Sequence, residues 1–372
     1  MPAKKNLYPN KLTIILCIKD KPEFTDRWMR FMNDQQCPYK ILIADGGKNK
    51  KIEKQLSSSL GYKNLNFKYI RFPFDKKIEY YYLKILETLK AVKTKYVIFA
   101  DNDDFYLLDK IPSLIIFLEK NKDYSGCRGK EAYFHLSRNG KTFINCANGD
   151  NYKIVDGVSS SIENHSFIER AELFFNKVNQ QDFWQNWYCI QRTEGAIKIL
   201  NVVRKYNFQD AILSEILFHL MLLKLGKVKV TNQLFYLRQI GSSLISSSIM
   251  NDKNLLEYHL ENDIAYNLKK FIYNKEIFNK QEESLRVMKA YSNFIRMWCI
   301  LNIDEFEKKI HAKIITIFLL RLIMNKKVFF IIKKIVKIIF NQRKIRLPFI
   351  KKYIVKNNAI DIRSSLESNL RS

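Results

Sequence analysis

Glycine and proline are scarce in this 372-residue chain, at 11 and 7. That scarcity argues against collagen-like and loop-dominated architectures and suits a chain with many helices. The six cysteines, Cys17, Cys37, Cys127, Cys146, Cys189 and Cys299, contain no Cys-x-x-Cys pair. Their wide spacing within apolar runs predicts reduced core thiols rather than a metal site or a disulfide framework. No Gly-x-Gly-x-x-Gly follows the first apolar run, which disfavours a dinucleotide-dependent dehydrogenase. The turn after that run, "CIKDKPEF", has no glycine to cradle a triphosphate, which counts against a nucleotidyltransferase. No apolar stretch reaches the roughly 18–20 residues needed to span a bilayer. The opening "MPAKKNLYPNKLTIILCIKDK" lacks the organisation of a secretory signal, so a cytoplasmic location is expected.

Acidic residues are absent from one long segment. Between Lys308 and Lys356 stand fifteen Lys or Arg and no Asp or Glu, more than half of the formal net charge of +27. At about 100° per residue, Lys326, Lys333, Lys337 and Lys344 fall on one narrow helical face, and Val328, Phe329, Ile331, Ile332, Ile335, Val336, Ile338 and Ile339 cover much of the rest. Such a helix suits the interface of an anionic membrane, where each Lys contributes about 1 kcal/mol. It also suits a domain helix with solvated lysines. The lack of any acid favours the membrane, on its cytoplasmic face. Nucleic acid is not expected, because an aromatic platform and a reading motif are missing.

What is present is enough for a core: 47% hydrophobic and 13% aromatic residues. Short apolar runs bounded by charge alternate with helical spacing. Strands are predicted at 11–19, 39–47, 65–72 and 95–101, with helices at 24–35, 50–60 and 77–92 between them. This alternation predicts a parallel α/β sheet with helices on both faces. Ligands of such sheets bind beyond the carboxyl ends of the strands. Further on, helices are predicted at 110–123 and 208–226, a strand then a helix over 183–206, and a strand over 227–241. The glycine-bearing stretch 125–160 is expected to carry substrate loops.

Two polar clusters end strands on this binding edge: Asp45-Gly46-Gly47, and Asp101-Asn102-Asp103-Asp104 within "YVIFADNDDF". Three carboxylates in four positions repel one another, and a hard divalent cation such as Mg²⁺ or Mn²⁺ bridging to substrate phosphates removes that objection. A cluster of solvated turn acids is the plainer alternative.

"IADGG" and "YVIFADNDDF" resemble the "V-D-D-G-S" and "Y-I-x-F-L-D-x-D-D" elements of family 2 glycosyltransferases of the GT-A fold, with "LTIILCIKDK" in the place of their opening strand. The resemblance covers residues 11–105 well and 106–241 loosely. It implies a Rossmann-like mixed sheet flanked by helices, a nucleotide-sugar donor (UDP-sugar favoured) and Mn²⁺ or Mg²⁺ at the Asp-x-Asp. Asp45 falls where the family contacts the nucleobase. Asp101 falls near ribose and metal, Asp103 on the usual metal ligand, and Asp104 on the acid that follows. Whether Asp101 or Asp104 joins Asp103 at the metal stays open. Ala44 replaces the first Asp of the "D-D-G-S" element, and Lys84 stands one residue out of register with the family's basic position.

Inverting transfer needs a general base to deprotonate the acceptor hydroxyl. The resemblance puts an acid ahead of a helix about a hundred residues past the metal motif, and Asp210 stands 107 residues after Asp103. A helix cap is its structural alternative. Arg238, in the tail of the last strand-like run, is placed to meet the departing diphosphate. Arg192, His165, Trp184, Trp187 and Tyr188 are candidates for acceptor or sugar contacts. The expected organisation is a GT-A catalytic domain over 1–248, a helical extension over 249–305 and the basic amphipathic region over 306–372. The expected function is transfer of a sugar to a glycan or lipid-linked acceptor in bacterial surface polysaccharide synthesis. A non-catalytic membrane-associated protein of the same fold and a nucleotidyltransferase are the alternatives.

Overall fold

The computed structural model describes residues 8–58, 62–135, 152–154, 160–177, 185–208, 211–240, 277–291 and 293–294. Asp210, Trp184, Cys146, Cys299 and the basic tail lie outside the described residues. The chain divides into two compact units, Met1–Ser243 and Leu244–Ser372. In the second, residues 281–291 form a helix in which Val287, Met288, Ala290 and Tyr291 are buried.

The first unit opens with strict alternation: β1 (Leu12–Ile18), α1 (Pro22–Asp34), β2 (Lys40–Asp45), α2 (Lys51–Ser58), β3 (Phe67–Arg71), α3 (Ile78–Lys90) and β4 (Tyr96–Asp101). These four strands pair in parallel in the order β3-β2-β1-β4. Every residue of β1 is buried, as a strand with parallel neighbours on both sides and helices over both faces must be. The apolar runs that predicted the strands are therefore the centre of the core.

The rest of the sheet is mixed. After the acidic motif come β5 (Phe105–Tyr106), α4 (Ile111–Lys120), β6 (Tyr124–His135), β7 (Tyr152–Ile154), α5 (Phe167–Lys177), β8 (Ile190–Arg192), α6 (Thr193–Tyr206), α7 (Ala211–Leu225) and β9 (Lys227–Ile240). Among the described residues nine strands form one sheet, ordered β3-β2-β1-β4-β8-β6-β9-β5, with β7 on β6. The segment expected to start as a strand at 183 instead enters through a 3₁₀ turn, Gln185–Tyr188, before the three residues of β8. Free Cys17, Cys37, Cys127 and Cys189 are buried, and burial pushes their thiols upward: Cys37 to about 11, Cys189 to about 12 and the other two further. They remain protonated and inert, as the core reading expects.

α7 is apolar on all sides and correspondingly interior, from Leu213 to Leu223. It carries one titratable oddity. His219 is fully buried, with Nδ1 bonded to the Glu215 carbonyl at 2.6 Å and its ring stacked on Phe174. Burial, reinforced by the Arg128 charge, lowers its pKa to about 4. The unfolded chain therefore takes up a proton on this side chain at a higher pH than the folded one. Stability is full above the unfolded value of about 6.5 and is lost as pH falls toward 4. Going from about pH 7.5 to about pH 5.5 should cost about 1.4 kcal/mol through this residue. Urea unfolding at the two pH values checks it: His219→Leu should remove that part of the difference, and an unchanged difference would clear His219 of the effect.

Candidate active site

The carboxyl ends of β1, β2 and β4 lie side by side, because Cys17 pairs with both Ala44 and Asp101 and Ile18 with Asp45. At the end of β2, the Asp45 carboxylate is fully buried. Its Oδ1 accepts the Gly47 N–H at 2.7 Å, and Oδ2 accepts the Tyr69 hydroxyl at 2.6 Å and Arg71 Nη1 at 2.8 Å. Arg71 also donates to the carbonyls of Gly47 and Asn49. Asp45 thus holds the Gly46–Asn49 turn in shape. At the end of β1, Asp20 and Lys21 both take left-handed backbone, with φ of 58° and 57°. Such conformations cost about 1–3 kcal/mol each without glycine. Asp20 Oδ1 ties this corner to the β2 turn by accepting the Lys48 N–H at 2.8 Å.

Between these two turns lies a sealed ion pair. Lys84 of α3 is 1% exposed and donates to the Ile18 carbonyl at 2.8 Å and to Asp75 Oδ2. Asp75, 3% exposed, has its carbonyl bonded by Lys19 Nζ at 2.7 Å and its N–H bonded to the Gly46 carbonyl. Burial raises the Asp75 pKa, and Lys84 opposes that rise. A Cβ on Gly46 would land on the Asp75 carboxylate. Gly46→Ala should therefore lower stability by about 1–3 kcal/mol, seen as a drop in urea midpoint. An unchanged midpoint would show that Asp75 moves aside freely.

The acidic motif closes the edge. Asp101 ends β4, and its Oδ2 accepts the Tyr188 hydroxyl at 2.7 Å. Desolvation, then the charge of Asp103, raises its pKa to about 6. Asp103 is 2% exposed, and its carbonyl lies 3.5 Å from Arg27 Nη2. Asp104 is 4% exposed; Oδ1 accepts the Gln239 N–H at 2.8 Å and Oδ2 accepts the Tyr236 hydroxyl. Burial and Asp103 raise its pKa well above the carboxylate range. The two tyrosines stack, with centroids 4.4 Å apart. β5 pairs antiparallel with β9, Phe105 with Leu237 and Tyr106 with Tyr236, so the register carries Arg238 opposite Asp104. Burial opposes the Arg238 charge, but Tyr188, Asp104, Tyr236 and Glu131 hold its pKa above the ordinary value. The arrangement is an acidic strand edge with the guanidiniums of Arg238 and Arg27 beside it.

The family model described as "Glycosyl transferase family 2" matches residues 13–188. The matched region is just under half of the chain and is similar to that family. Among solved structures, the chain is similar to S. aureus TarS, with 13% identity and a TM-score of 0.42 over 77% of this chain and 49% of that one. It thus spans about half the length of that TarS chain. It is also similar to TarS 1–349 in complex with UDP (14%, TM-score 0.42, 77% and 80% covered) and in complex with UDP-GlcNAc (12%, 0.41, 77% and 81%). Among curated proteins nothing matches.

The mixed sheet has the GT-A arrangement expected from the sequence, and several expected positions can now be placed on it. Asp45, Asp101, Asp103, Asp104 and Arg238 come to one edge. Lys84 is at that edge too, but sealed beneath it. Arg192 is not: it pairs with Tyr96 at the opposite end of β4, about 17 Å from Asp101 at about 3.3 Å per residue. Its guanidinium bonds the carbonyls of Leu118, Asn121 and Tyr124, so it buttresses the far edge and is no acceptor contact. His165 is likewise remote, three residues from Ile162, which bridges Val228 near the start of β9. Trp187 is core, stacked on Phe99 at 4.6 Å. Tyr188, a candidate for stacking on a sugar, instead bonds Asp101. Residues that sequence reasoning passed over are Asp75, Arg27, Tyr236 and Gln239. For Tyr236 a signal existed, since Tyr236 and Arg238 share one face of a strand.

Among the described residues no group of three or more His, Cys, Asp or Glu is arranged to hold a metal ion. The donor set at this edge nonetheless fits a cation completed by phosphates and water. Magnesium-like ions commonly take one or two carboxylates and fill the remaining positions with phosphates and water. The raised pKa of Asp101, driven partly by Asp103, records the excess negative charge that a dication would neutralise.

Proposed function

We propose that the chain transfers a sugar, with inversion, from a nucleotide-sugar to a glycan or lipid-linked acceptor in surface polysaccharide synthesis, with UDP as the favoured nucleotide. The observation that carries this reading is the meeting of Asp101 and Asp103 at the end of parallel β4 with Arg238 of β9, in a chain similar to family 2. Asp103, with Asp101, would hold Mn²⁺ or Mg²⁺, which supplies charge stabilisation to the leaving diphosphate. Arg238 would add a fixed positive charge for the same phosphates. The β2 turn, shaped by Asp45, and the loop held by Asp75 and Lys84 form the floor on which the nucleoside rests. Asp210, immediately ahead of α7, is the general base: it takes the acceptor hydroxyl proton as that oxygen attacks the anomeric carbon.

Incubation with UDP-, GDP- and CMP-sugars and Mn²⁺ tests the reading. One donor should be hydrolysed slowly and should raise the melting temperature. Neither effect with any donor contradicts it. The basic segment 306–372 serves as an anchor to anionic membrane at the cytoplasmic face. Truncation after about residue 305 should abolish sedimentation with anionic liposomes while sparing donor hydrolysis. Undiminished sedimentation removes the anchor from the proposal.

A further inference from the structure

We infer that Asp104 is not a metal ligand but the strut that fixes the end of β9, and with it Arg238, over the donor edge, leaving the cation to Asp103 and the second oxygen of Asp101. This rests on the proposed function, because it assigns work within that site.

Three carboxylates crowd the motif, and their bonds separate them. Asp104 spends both oxygens on β9: Oδ1 on the Gln239 N–H at 2.8 Å and Oδ2 on the Tyr236 hydroxyl. Moving either oxygen to meet a cation would disturb a bond to a buried donor. Asp101 spends only Oδ2, on Tyr188. A cation therefore disturbs fewer existing bonds at Asp101, with one oxygen bonded, than at Asp104, with both.

The same bonds explain what Asp104 accomplishes. β5 is only two residues long, Phe105–Tyr106, too short to hold the end of β9 by its ladder alone. The side chain just before it adds two bonds to β9, at Tyr236 and at Gln239. A third tie comes from α1, where Arg27 Nη2 donates to Gln239 Oε1 at 2.6 Å while its guanidinium packs over Phe24 and Phe105. Arg238 lies between the two residues that Asp104 grips. Tyr236 is itself stacked on Tyr188, the partner of Asp101, so the placement of β9 and of the Asp101 carboxylate are linked through one aromatic pair.

The test uses the full chain and two readouts. In the first, free Mn²⁺ is followed by electron paramagnetic resonance during titration in the presence of UDP. Asp104→Asn retains an oxygen for the Gln239 N–H and offers an amide N–H to the Tyr236 oxygen, so its Mn²⁺ affinity should stay within about threefold of wild type. Asp103→Asn should weaken binding by more than about tenfold, the loss of a charged ligand. Equal losses in the two variants overturn the assignment. The second readout is urea unfolding without metal of Tyr236→Phe, Asp104→Leu and the double variant. A strut predicts that the double variant has nearly the midpoint of Asp104→Leu alone. Fully additive losses overturn the strut. Should wild type bind no Mn²⁺ with UDP, the proposed function is what fails, and the unfolding cycle decides the strut by itself.

Discussion

Asp103→Asn should lower release of nucleotide from the donor by about a thousandfold at saturating Mn²⁺, with little change in melting temperature. Asparagine is nearly isosteric with aspartate, so the turn after β4 keeps its shape. What is lost is one negative charge, at the residue proposed to bind the cation opposite Arg238. Removing a single preorganised electrostatic contact to a developing charge costs about 2.7–4 kcal/mol of transition-state stabilisation, a factor of about 10²–10³. Loss of the cation itself lies at or beyond the upper end. The check is a kcat and KM determination across a range of Mn²⁺. A reduction smaller than about tenfold, unaltered by added Mn²⁺, would place the cation elsewhere.

Lys84→Met should lower stability by about 3–5 kcal/mol, the usual result of stripping one partner from a buried ion pair. Lys84 is 1% exposed and Asp75 3%, so no water replaces the lost ammonium. The Ile18 carbonyl loses its donor in the same step. Asp75 is already shifted upward by burial and held back by Lys84. Without Lys84 its folded-state pKa rises further, the folded form then binds a proton more readily than the unfolded, and the variant should regain stability as pH falls. Combining Lys84→Met with Asp75→Leu should recover much of the loss, since two apolar groups replace two charges. Urea unfolding of the single and double variants measures this. A double variant as unstable as Lys84→Met alone would mean that the lysine stem, not its charge, supports the fold.

The first four strands were legible because each is an apolar run bounded by charge, and burial over the whole of β1 follows from the same pattern. The carboxyl-edge position of Asp45 and of the acidic motif was legible with them, since alternation fixes which ends of the strands meet. The second half of the sheet was not. β8 has three residues and β5 two, lengths at which periodicity carries no signal. The parallel pairing of β6 with β9 joins segments about a hundred residues apart, which local pattern cannot announce. For the same reason the bonds that sort the acids were hidden: Tyr236 and Gln239 reach Asp104 across 132 and 135 residues. The Asp75–Lys84 pair escaped for another cause. Its residues are near in sequence, but only the fold of the loop against Gly46 buries them.

The most direct measurement is anomalous diffraction from crystals soaked with UDP and Mn²⁺. The account predicts a manganese peak about 2.1–2.2 Å from a carboxylate oxygen of Asp103, with the diphosphate between it and Arg238, and Asp104 still bonded to Tyr236 and Gln239. A peak on Asp104 with those two bonds broken, or nucleotide bound away from this edge, would contradict it.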